Sequence, residues 1–192
     1  MANGQPAKAI SRIKAQMKRL PKNALLHHLM GRVYVMANNA DMAEKSFKKA
    51  IELKNDLVSV YLDLGKLYAK QKSFDNAIKQ YTEASKINPG LVPPYMLLGT
   101  IYELKGDTEN AIMNYRKALD INPRFAPAAN NLAWLYAEHG GNIDIALSLA
   151  ETAKEEAPDS PEVSDTLGWI YYKKGVYLTA LSLFTDTLEK WP

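Results

Sequence analysis

Apolar positions recur along this chain with the period of a helix. In DLGKLYAKQ (63–71), Leu64, Leu67 and Tyr68 stand at i, i+3 and i+4, and further on Ala77, Tyr81 and Ala84 stand at i, i+4 and i+7. Spacings of three and four put side chains on one face of an α-helix, whereas a strand would need alternation. The polar stretches QKSFD, LKGDT, HGGN and KKGV each separate two such segments. INP at 87–89 and 121–123 closes the second segment, because proline cannot continue a helix and restricts the residue before it. The pattern predicts an all-α chain built from pairs of amphipathic helices.

The pairs repeat. Gly31, Gly65 and Gly99 are 34 residues apart, Ala133 is 34 further on and Gly168 is 35 beyond that. Three residues after each anchor stands a tyrosine: Tyr34, Tyr68, Tyr102, Tyr136 and Tyr171. Twelve after it come Ala43, Ala77 and Ala111, then Ala146 with a one-residue slip, and Ala180 back in register. Four further on are Phe47, Tyr81, Tyr115, Ala150 and Phe184. Glycine inside a helix costs roughly 1 kcal/mol of propensity, so these glycines predict a close approach by a neighbouring helix. The large rings of the second segment are the natural fillers of that space.

This register resembles the tetratricopeptide repeat (TPR) family over nearly the whole chain. The resemblance implies a right-handed α-solenoid of five helix-turn-helix repeats at 24–57, 58–91, 92–125, 126–160 and 161–192. Residues 7–20 fit the second helix of an earlier unit, and Pro89, Pro123, Pro158 and Pro192 close four of the five. A single domain over 1–192 follows, and we expect it to be a piece of a longer TPR protein. In this family the first helices line a concave groove that takes a peptide or helix of a partner protein. The groove positions fall here on His28, Arg32, Leu62, Lys66, Met96, Thr100, Asn130, Asn131, Trp134, Asp165, Trp169 and Tyr172, with Asp63, Lys70, Glu103 and Glu138 beside them. The Lys/Asn/Arg set with which some TPR proteins clamp a terminal carboxylate is not matched, because Asp63, Pro93 and Leu97 occupy its places.

The stretch from NNLAWLYAE to DTLGW (130–169) looks more specifically like TPR proteins of bacterial exopolysaccharide and PEP-CTERM sorting systems. That likeness implies an assembly scaffold in a bacterial periplasm or envelope rather than the cytoplasm. The start, MANGQPAKAISRIK, lacks the charged and apolar regions of a signal peptide.

Charge adds a direction. Residues 1–57 hold 11 Lys/Arg and 4 Asp/Glu, and residues 126–192 hold 4 and 10, within an overall net of +3. A nucleic-acid binder would keep a continuous basic face, so we expect no nucleic-acid partner. No apolar run is long enough to cross a bilayer, so no direct membrane insertion is expected. Cysteine is absent, which removes disulfides and thiolate sites. His27 and His28 are adjacent and point about 100° apart on a helix, which suits neither a metal pair nor catalysis. No nucleophile, phosphate-loop or zinc motif is present, so no enzyme activity, metal or cofactor is expected. Three occupants of the groove stay open. Trp134 and Trp169 beside Asn130, Asn131 and Asp165 suit a peptide anchor or a stacked sugar of a polysaccharide. The uncapped ends suit a homo-oligomer. The tryptophans could equally serve only as packing between first helices.

Overall fold

The computed structural model describes residues 4–190 as eleven α-helices, with no strand among them. Pro192, read above as a closing proline, lies outside the described residues. The chain divides into two compact units, Met1–Pro89 and Gly90–Pro192. Unit 1 holds α1 (Gly4–Arg19), α2 (Ala24–Met36), α3 (Ala40–Leu53), α4 (Val58–Lys70) and α5 (Phe74–Ile87). Unit 2 holds α6 (Val92–Leu104), α7 (Thr108–Ile121), α8 (Ala126–Glu138), α9 (Ile143–Glu156), α10 (Pro161–Lys173) and α11 (Tyr177–Lys190). Each unit is a stretch of α-solenoid. In unit 1, α2 packs on α3 and α4 on α5, with α1 against α2; in unit 2 the pairs are α6–α7, α8–α9 and α10–α11. Helix α1 begins three residues earlier than the 7–20 expected, because Gly4, Gln5 and Pro6 occupy its first turn and leave no intrahelical N–H of Pro6 to satisfy.

The ring-on-glycine register sets the spacing within pairs. A Cβ added to Gly65 would lie 2.3 Å from the Tyr81 ring, and one on Gly99 would lie 2.5 Å from the Tyr115 ring. Both rings are fully buried. The fourth pair reaches the same closeness differently: Ala133 faces a second helix that carries Ala150 where the others carry a ring, and both alanines are fully buried. Side-chain caps start several helices: Asn23, Asn39, Asp107, Asn142 and Ser160 each accept a hydrogen bond from the first turn.

The turn inside each pair uses one residue at positive φ. These are Asn38, Lys72, Gly106, Gly140 and Gly175, with φ from 56° to 79°. Unit 2 meets this left-handed requirement with glycine throughout, whereas unit 1 spends an asparagine and a lysine on it. The extra residue of the fourth pair is absorbed in its turn, 139–142, where the other pairs use three residues.

Candidate functional site

In unit 1 the candidate residues sit on α2 and α4 and are largely tied to one another. His28 is buried rather than open, and its Nε2 donates to Asp63 Oδ2 at 2.8 Å. Its ring also packs against Phe47, with centroids 5.8 Å apart. Arg32 Nε lies 3.7 Å from the same Asp63 oxygen and remains mostly exposed. Leu62 is half-buried, while Lys66 is exposed. Arg32, Lys66, Lys70 and Asp63 line a hollow of about 330 Å³ together with Val35, Met36, Phe47 and Leu67. The lining is thus part cationic and part apolar.

In unit 2 the candidate residues divide into an inner polar group and an outer aromatic row. Apart from Asn130 Oδ1, the inner group is hydrogen-bonded internally. Thr100 Oγ1 donates to the Met96 carbonyl at 3.0 Å. Asn131 Nδ2 donates to the Tyr115 hydroxyl at 3.0 Å, and that hydroxyl donates to Glu103 at 2.7 Å. Burial pushes the Tyr115 phenol up to about 12, outweighing the contacts with Thr100 and Asn131 that pull it down. Asn130 reaches Asn131 at 3.4 Å, and its own Oδ1 is buried without a partner.

The outer row is made by α8 and α10. Trp134 and Trp169 have ring centroids 6.3 Å apart, Trp169 stacks on Tyr172 at 5.4 Å and 17°, and Tyr172 meets Tyr177 edge-on at 5.5 Å. Trp134 is 38% exposed and Tyr172 50%. The row is held in place from below. Trp169 Nε1 donates to Glu138 Oε1 at 2.6 Å, and Lys173 reaches the same oxygen at 2.7 Å. Lys173 also donates to the Ala137 carbonyl and lies 5.3 Å from the Trp169 ring centroid, within cation–π range. The Lys173 ammonium, and then the indole N–H, hold the Glu138 carboxyl below its usual range. Beside the row lies a hollow of about 620 Å³ lined by Trp134, Pro161, Asp165, Trp169, Phe184, Thr187 and Leu188.

The structure therefore joins Trp134, Asp165 and Trp169 around one hollow and stacks Tyr172 beside them. It keeps Met96, Thr100, Asn130 and Asn131 in a separate, mostly internal network. Lys173, Tyr177, Phe184 and Leu188 belong to the outer site but not to the expected groove positions. The available signal for Tyr177 and Leu188 is the apolar outer face of α11, and for Lys173 its place four residues after Trp169 on the same helix face. Among the described residues no three His, Cys, Asp or Glu converge as metal ligands. No described helix is long and apolar enough to cross a membrane.

Two family profiles, both described as tetratricopeptide repeat, match the chain, one over 24–57 and 58–91 and the other over 102–170. No curated protein matches. Several solved structures share the fold. A structure from a study of Pseudomonas aeruginosa pilF superposes with a TM-score of 0.85 at 17% identity, covering 98% of this chain and 86% of that one. A MamA crystal structure gives 0.76 at 22% identity, with 88% and 92% covered. YrrB, described as a TPR protein with an unusual peptide-binding site, gives 0.75 at 18% identity, with 94% and 92% covered. At these identities the likeness is one of fold.

Proposed function

Because the chain belongs to the tetratricopeptide-repeat family, we propose that it is a non-catalytic scaffold whose outer aromatic row holds a segment of a partner protein. Residues 1–192 act in this reading as one repeat domain, with the candidate positions of α2 and α4 as a secondary contact. The observation that carries the proposal is the exposed row Trp134–Trp169–Tyr172–Tyr177 beside a hollow of about 620 Å³. A row that served only as packing would be covered, yet Trp134, Tyr172 and Tyr177 each keep more than a third of their surface in water. Tryptophan and tyrosine supply large contact area with few rotatable bonds, and they are enriched among residues that dominate binding energy. Glu138 and Lys173 lock the Trp169 ring before any ligand arrives, so little ordering cost falls on the scaffold.

A second reading, a polysaccharide on the same surface, is favoured by one feature. Trp134, Trp169 and Asp165 line one hollow, and indole faces with a carboxylate in the same hollow suit a sugar ring and its hydroxyls. The envelope setting and the exopolysaccharide association rest on the wording of residues 130–169 alone. The test is affinity capture from extracts of the source organism with the wild-type chain and with Trp134→Ala/Trp169→Ala, both first shown to be equally helical by circular dichroism. A protein retained only by the wild type supports the scaffold reading, and a polysaccharide retained only by the wild type supports the second. The same species retained by both would place binding elsewhere.

A further inference from the structure

The seam between α2 and α4 in unit 1 lacks two groups that the equivalent seam between α8 and α10 supplies for itself in unit 2. Counted from the start of each repeat, Met36 stands where Glu138 does, Lys66 where Trp169 does and Lys70 where Lys173 does. In the α8–α10 seam these positions satisfy one another. Lys173 reaches Glu138 Oε1 at 2.7 Å, Trp169 donates to the same oxygen at 2.6 Å, and the Lys173 ammonium lies 5.3 Å from the Trp169 ring centroid. A carboxylate and a large apolar ring thus partner the lysine from within the chain.

The α2–α4 seam keeps the lysine and has neither partner. Met36 brings no carboxylate to Lys70, and Lys66 brings a second cation in place of a ring. What remains is the hollow of about 330 Å³, with Met36, Phe47 and Leu67 in its wall. Met36 is 74% exposed, so an apolar side chain stands in water beside the charges. Asp63 is the one acidic residue of this lining, and its Oδ2 is already engaged by His28 at 2.8 Å and Arg32 at 3.7 Å. Among the described residues neither Lys66 nor Lys70 pairs with a carboxylate. The two lysines are exposed and four residues apart on α4, about 6 Å along the helix axis, where like charges repel. A second hollow of about 200 Å³ shares Val35, Leu67 and Lys70 with the first and continues to Asn38 and Gln71. The space suits a stretch of chain rather than a single small anion.

We propose that the α2–α4 seam binds an acidic peptide segment of a partner protein, which seats a large apolar side chain among Met36, Phe47 and Leu67 and sets neighbouring Asp or Glu carboxylates on Lys66 and Lys70. The ligand supplies the two groups that Glu138 and Trp169 supply in unit 2. Two lysines a helical turn apart match successive side-chain carboxylates better than one terminal carboxylate. Residues 1–57 carry 11 Lys/Arg against 4 Asp/Glu, which draws an acidic segment toward this part of the chain. This inference rests on the scaffold reading and names the chemistry of its secondary contact, on a surface separate from the aromatic row.

The probe is a labelled, C-terminally amidated synthetic peptide with one leucine flanked on both sides by glutamates. Its controls carry glutamine for every glutamate, alanine for the leucine, or glutamine for every glutamate with a free terminal carboxylate. Fluorescence anisotropy reads binding to the wild type, Lys66→Ala/Lys70→Ala, Met36→Glu and Trp134→Ala/Trp169→Ala, each first shown to be equally helical by circular dichroism. Met36→Glu places a carboxylate where unit 2 has Glu138 and leaves every cation of the seam in place. Met36, Lys66 and Lys70 are exposed, so their substitution leaves the fold intact. The seam predicts that the glutamate peptide binds the wild type and that the glutamine and alanine controls lose at least about tenfold in affinity. It predicts a similar loss in Lys66→Ala/Lys70→Ala and in Met36→Glu, and no loss in Trp134→Ala/Trp169→Ala. Wild-type binding should weaken as salt is raised. Undiminished binding by Met36→Glu, or of the glutamine control, overturns the inference. Binding of the free-carboxylate control alone overturns it in favour of a terminal carboxylate. A loss in Trp134→Ala/Trp169→Ala with Lys66→Ala/Lys70→Ala unaffected overturns it and leaves the scaffold reading standing on the aromatic row. Absence of peptide binding overturns it as well, and capture of a partner by the tryptophan row is then decided separately.

Discussion

Arg32 and Lys66 in unit 1 stand at the same repeat position as Trp134 and Trp169 in unit 2. The scaffold beneath them is built alike in both units, with a helical glycine or alanine under a second helix and a left-handed residue in each turn. The surface chemistry differs completely. The unit 1 surface is cationic and cross-tied through Asp63, with its histidine buried. The unit 2 surface is aromatic, with Trp134, Tyr172 and Tyr177 exposed and the half-buried Trp169 tied to Glu138. A repeat fold can thus hold its packing residues fixed while the positions facing solvent change from unit to unit, since those positions contribute little to the core.

The largest effects should show the shared scaffold. Tyr81→Ala and Tyr115→Ala each remove a fully buried ring from over a glycine, and each should cost about 3–5 kcal/mol in urea unfolding. A loss confined to one of the two would break the equivalence of the units. Alkaline pH tests the same rings. The Tyr115 phenol rises from 10.0 to about 12 through burial, so its contribution is fully present below pH 10 and is lost as pH climbs through about 12. Tyr115→Phe should remove that part of the alkaline destabilisation, measured as the midpoint of unfolding against pH.

The divergent surfaces should separate in binding. Trp134→Ala/Trp169→Ala should weaken a captured partner by at least about tenfold while changing helicity little. Arg32→Ala/Lys66→Ala should give a smaller loss that shrinks further in high salt. Titrations of both variants at two ionic strengths would reveal an inverted order. Asp63→Ala strips the acceptor from buried His28 and should cost about 1–2 kcal/mol of stability. The smallest effect concerns the turns. Lys72 adopts the conformation that glycine supplies throughout unit 2, so Lys72→Gly should stabilise the protein by up to about 1 kcal/mol in thermal unfolding.

Much of the fold was legible because the repeat writes it several times over. The spacing of Gly65 to Gly99 and of Tyr81 to Tyr115 predicts which residues meet, and Tyr81 and Tyr115 do cap those glycines. The extra residue in HGGN likewise falls in a turn. The site was only partly legible. His28, Arg32 and Asp63 form one cluster across a separation of 35 residues, and Glu138 supports Trp169 across 31. Those contacts join neighbouring first helices, and a motif that describes one repeat at a time carries no term for them. Burial of His28 follows from Phe47 and Asp63 closing over it, which helical periodicity does not encode.

The most direct test of the account labels the chain's three tryptophans with 5-fluorotryptophan and follows them by fluorine NMR as a captured partner is added. Trp134→Phe and Trp169→Phe assign the two resonances. The account predicts that both shift as the partner saturates, since the two indoles form the contact. Resonances of Trp134 and Trp169 that stay in place while the partner is bound would contradict it.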